Sequence, residues 1–309
     1  KGCEELFIKK LEPFILCDKI KNQQLSKENI SKIVDLYIKN KNYHILSQIL
    51  THLDIHSIDK EEIKDICITN NLIDPLIYIY MNNDEENYFF PISKIYDVFL
   101  SANEIDFVSY DECINKETVP AETLQDSKQY IGNKLMWYIN MCLDGERYPS
   151  KEKINSSTYE QLVVKIYLWI LGDEVLTNLL NFDSFSLFNL ISRFFLEEKI
   201  STLLEKLDIS KYKKEVEKIK SIDNLEQRTI VGLIMEKAKS LKSQLILQDL
   251  YGFIAKISTH LSSLSKDVIL ETAKYLLGFD SRKEEAMKEK DQFGLHRDFF
   301  NEKHFIKTI

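Results

Sequence analysis

The feature that most constrains this chain is a spacing: apolar residues recur three and four positions apart in one segment after another, with almost nothing to interrupt them. Only 8 glycines and 5 prolines punctuate 309 residues. A sheet-rich chain needs alternating side chains and a turn residue every few positions, whereas this spacing places the apolar side chains along one stripe of a helix. The pattern therefore predicts long stretches of α-helix and no convincing strand.

The segments can be followed in order. From Ser26, "SKENISKIVDLYIKN" puts Ile30, Ile33, Val34, Tyr37 and Ile38 on one stripe, with Ser26 available as N-cap. "NYHILSQILTHL" repeats the pattern through Tyr43, Leu46, Ile49, Leu50 and Leu53. In "DKEEIKDICITN", Asp59 and Glu62 form a capping-box pair ahead of Ile63, Ile66 and Cys67. Pro75 stands in the first turn of the helix predicted for "LIDPLIYIYMN", whose "LIYIYM" is apolar enough to be buried. Beyond a polar interval, "KQYIGNKLMWYINMCL", "YEQLVVKIYLWIL", "DEVLTNLLNF", "SFSLFNLISRFFLEEKI", "NLEQRTIVGLIMEKAKS", "SQLILQDLYGFIAKISTHL" and "SKDVILETAKYLL" each read as a helix.

Helices of similar length, each with one apolar stripe and short links, cover one another as antiparallel neighbours. The fold class this predicts is all-α, an α-solenoid of antiparallel helix pairs. No motif recurs at a fixed period, so the tetratricopeptide and ankyrin signatures are not matched. Residues 1–102 read as the first part of the solenoid, 103–127 as an acidic loop holding Pro120, 128–280 as the second part, and 281–309 as a charged tail or further helix. The tail carries Phe293, Phe299, Phe300 and Phe305, a set an amphipathic membrane-contact segment could use, but Asp298 and Glu302 dilute the basic face such a segment needs.

Composition narrows the function. A formal charge of −8 argues against a chain built to grip phosphate backbones, so nucleic acid is not an expected partner. Five widely spaced cysteines (Cys3, Cys17, Cys67, Cys113, Cys142) include no C-x-x-C and read as reduced and mostly buried. The apolar runs stop well short of a membrane span and no signal peptide opens the sequence, so the expected location is cytoplasmic. The N-x-S/T matches at Asn29 and Asn155 are then chance matches. A start at Lys1 suggests an internal piece of a larger protein.

The search for chemistry returns little. His52 and His56 are four apart, a spacing that could recruit Asp54 or Asp59 to a metal, but the glutamate of H-E-x-x-H is missing and Asp54 and Ser57 read as turn and capping residues. No nucleophile elbow or phosphate-cradling glycine loop occurs. The carboxylates sit in helix-start or solvent-face positions, as in "SKEN", "DKEE" and "KKEVEK". The aromatic clusters "YFFP", "MWY", "YLW" and "RFF" read as core, and Trp137 and Trp169 are assigned to packing. No catalytic, cofactor-binding or metal-binding residue is expected, and no cofactor.

Some longer stretches bear a resemblance. "FIKKLEPFILCDKI" with its L-E-P-F-I run, the H-x-D-I-x-x-[IL]-D turn from His52, "LIDPLIYIY", "NKLMWYINMCLDGERYP" with its G-x-x-Y-P ending, and "LLNFDSFSLFNLISRFF" are similar to the helical region of the vacuolar protein sorting-associated protein eight family. "RTIVGLIME" and "DLYGFIAKISTHL" fit more loosely, and nothing after about residue 280 matches. The motifs are packing motifs. The resemblance implies a piece of the solenoid of the CORVET-specific subunit, lying between a β-propeller and a RING-type zinc module, neither of which is present here. It implies a non-catalytic scaffold for endosomal tethering. The partners it implies are the class C core vacuolar protein sorting subunits and, through the complex, an early-endosomal Rab GTPase and SNAREs. Membrane association would be peripheral and indirect, at the endosome. The same periodicity would also suit a solenoid subunit of the related late-endosomal tether, a clathrin-like coat protein, or a peripheral membrane-binding helical module using the 281–309 tail.

Overall fold

A computed structural model describes residues 2–17, 25–54, 59–82, 87–102, 128–148, 150–205, 227–260 and 264–277. Among these the regular structure is helical, and the only strand-like pairing is an isolated bridge between Glu146 and Lys153. The fold class is the all-α solenoid the periodicity predicts. The chain divides into two compact units, one formed by the described residues up to Asn155 and the other from Ser156 onward.

The first unit holds α1 (Gly2–Leu16), α2 (Lys27–Lys39), α3 (Tyr43–His52), α4 (Lys60–Thr69), α5 (Ile73–Met81), α6 (Phe90–Ser101) and α7 (Lys128–Asp144). The starts of α2, α4 and α6 have local causes. The Ser26 hydroxyl accepts from Asn29 N–H at 3.3 Å and the Asp59 carboxylate from Glu62 N–H at 3.4 Å, while Pro91 opens α6 at its first positions, where a missing N–H costs nothing. The ends of α2 and α4 share one device. Lys41 and Asn71 stand at φ 56° and 54°, the left-handed region. Around them Asn42 N–H reaches Tyr37 O at 2.9 Å, Lys41 N–H reaches Ile38 O at 3.0 Å, and Leu72 N–H reaches Cys67 O at 2.9 Å. These are Schellman closures, which satisfy orphan carbonyls and reverse the chain within three residues. Connections this short force α2 against α3 and α4 against α5 as antiparallel pairs.

Between these pairs the packing links alternate helices of α1 to α5 and then runs on through α6 to α7. Helix α3 touches α1, α2 and α5; α5 touches α4 and α6; and α6 packs on α7. The predicted stripes are the buried ones: Ile30, Ile33, Val34 and Tyr37 on α2, Leu46, Ile49 and Leu50 on α3, Ile63 and Cys67 on α4. Helix α5 is buried from Pro75 to Met81, as expected for a helix apolar on every side.

The second unit holds α8 (Ser156–Ile170), α9 (Asp173–Leu196), α10 (Glu198–Glu205), α11 (Gln227–Ser240), α12 (Gln244–Ser258) and α13 (Lys266–Leu277). Helix α9 packs against α8, α10, α11 and α12, and α12 against α11 and α13. The two helices read from "DEVLTNLLNF" and "SFSLFNLISRFF" are the halves of α9, joined through Asp183 at φ −154°, ψ 87°. One expected element differs: the helix running to Ile200 breaks at Glu197, whose ψ is 107°, and α10 restarts at Glu198. The Arg193 guanidinium holds the Glu197 carboxylate at 2.5 Å and closes the end of α9. The intervals 103–127 and 281–309, and with them the acidic-loop and tail readings, lie outside the described residues.

Candidate interaction surface

His52 is half-buried at the end of α3, and His56 and Ser57 lie outside the described residues. Among the described residues no three of His, Cys, Asp and Glu come together as a metal set. Cys67 and Cys142 are buried; burial pushes the Cys67 thiol up to about 12 and the Cys142 thiol up as well, which keeps both in the weakly nucleophilic protonated form. A cleft of about 250 Å³ lies between the starts of α2 and α4, lined by Lys27, Glu28, Ile30, Val34, Asp59 and Ile63 among others. Its floor is apolar and its rim carries ordinary surface charge: Glu28 is held below its usual value by a hydrogen bond and the charge of Lys32 one turn on. No described helix is long and apolar enough to cross a membrane.

The segments that carry the family resemblance show what they are for. In L-E-P-F-I, Ile15 is buried, Glu12 accepts a hydrogen bond from Tyr37 of α2, and Pro13 lies inside α1. In "LIDPLIYIY", the Tyr78 hydroxyl donates to Leu53 O at 2.9 Å across to the end of α3. Within "NKLMWYINMCLDGERYP", the Tyr138 hydroxyl donates to Tyr88 O at 3.0 Å, and Gly145 at φ 69° turns the chain into the loop carrying Tyr148. Asp183, from "LLNFDSFSLF", caps the second half of α9 by accepting from Ser186 N–H at 3.1 Å and from its hydroxyl at 2.6 Å. These residues position helices against one another. The tyrosines among them were legible as core, but the carbonyls that satisfy their hydroxyls are 25 and 50 residues away and no local pattern points to them.

Trp137 corrects the sequence reading. It is 43% exposed where its sequence context predicts packing, whereas Trp169 is half-buried. The buried stripe of α7 is Ile131, Leu135, Tyr138, Ile139 and Cys142. Trp137 belongs to the opposite stripe with Asn133, Asn140 and Asp144, three or four residues apart on the solvent side. Those polar neighbours were the signal that could have placed it. Tyr148 meets the indole edge to face at 5.5 Å and 86°. The Lys134 ammonium lies 5.5 Å from the Trp137 ring centroid and 5.4 Å from that of Tyr130. Burial pulls the Lys134 pKa down, but its hydrogen bond to Asp74 at 2.6 Å and the charge of that carboxylate outweigh burial and hold it above the ordinary value.

Residues 6–175 match the family described as Vps8 central TPR. The chain belongs to this family. Over 144 residues it is 27% identical to the Vacuolar protein sorting-associated protein 8 homolog of Mus musculus and 28% identical to that of Homo sapiens. That stretch is 47% of this chain and spans only 9% of the length of each relative. No solved structure matches the chain. The family match runs from within α1 through α8 to the first turn of α9, so it takes in Glu12, Tyr78, Tyr138 and Gly145 and stops short of Asp183.

Proposed function

We propose that the chain is a scaffold segment of a CORVET-type endosomal tethering complex, which links membranes before fusion in protein transport to the endosome and vacuole. The observation that carries this reading is the family match over a stack of helices whose family motifs are spent on packing. Within each unit the helices bury their apolar stripes on one another and turn polar faces to solvent, an arrangement suited to binding partners rather than to catalysis. On this reading the chain works by binding, without catalysis or cofactor. It joins the class C core vacuolar protein sorting subunits, meets an early-endosomal Rab GTPase and SNAREs through the assembled complex, and reaches the endosomal membrane from the cytoplasmic side, peripherally and indirectly.

The test is affinity capture of the full-length protein from its own cells, with mass spectrometry of what survives a moderate salt wash. Class C core subunits in near-stoichiometric yield are the expected result. Recovery of the late-endosomal tether or clathrin-coat partners in their place would overturn the assignment.

A further inference from the structure

We draw no further inference here: the strongest candidate, the outer face of α1, where Leu6, Phe7 and Phe14 are exposed on either side of Lys10, carries nothing because nothing in the structure shows what covers it.

Discussion

Lys41 stands where a helix end most often carries glycine. Its φ of 56° costs a side-chain-bearing residue about 1 kcal/mol, because Cβ crowds the following carbonyl. Lys242, at φ 55° between α11 and α12, repeats the choice, and Asn71 at 54° softens it with the side chain best suited to that region. The expected outcome of Lys41→Gly is a gain of about 0.5–1 kcal/mol in unfolding free energy, read as a higher urea midpoint; relief of strain outweighs the extra freedom glycine brings to the unfolded chain. A lower midpoint would mean that the Lys41 side chain makes a contact worth more than the strain. Caps show the reverse situation, since Ser26 and Asp59 could be assigned from sequence because a cap acts on an amide three residues away. The left-handed lysines could not, because nothing in "NKN" or "LKS" distinguishes a reversal from a continuing helix.

At the scale of elements, α9 turns on one side chain. Asp183 breaks the helical dihedrals and at once serves as N-cap to the half that follows, so the two halves pack as separate rods without losing the terminal amides to the core. Asp183→Ala should cost about 1–2 kcal/mol in denaturant unfolding, with Asp183→Asn recovering most of it, because the amide oxygen can still accept from Ser186 N–H. No change in the alanine variant would show that tertiary packing alone holds the bend. The two halves were readable as two helices because "NFDS" puts a capping residue between two apolar stripes. In α7 the same periodicity was outvoted by residue type: a tryptophan inside "MWY" read as core, although Asn133, Asn140 and Asp144 already marked its face as the wet one.

For the molecule as a whole, the buried ionisable groups set the pH range. Burial raises the Cys67 and Cys142 thiols above their ordinary 9.0 and the Tyr138 and Tyr167 hydroxyls above their ordinary 10.0. In each case the folded state holds a proton that the unfolded chain gives up first. Their contribution is complete below the ordinary values and is lost as pH climbs toward the raised ones. Stability should therefore be flat between about pH 7 and 8.5 and fall steadily above about pH 9, measured as urea midpoints across the series. Unchanged midpoints up to about pH 11 would contradict the burial of these groups. The sequence by itself determined the fold class, the stripes, the caps and the kinship, because helical periodicity and capping act over three or four residues. Only the tertiary structure decided which carbonyl each tyrosine satisfies, which thiols are sealed, and that Trp137 meets Tyr148 at the surface, because those outcomes depend on residues far apart in the chain arriving at one place.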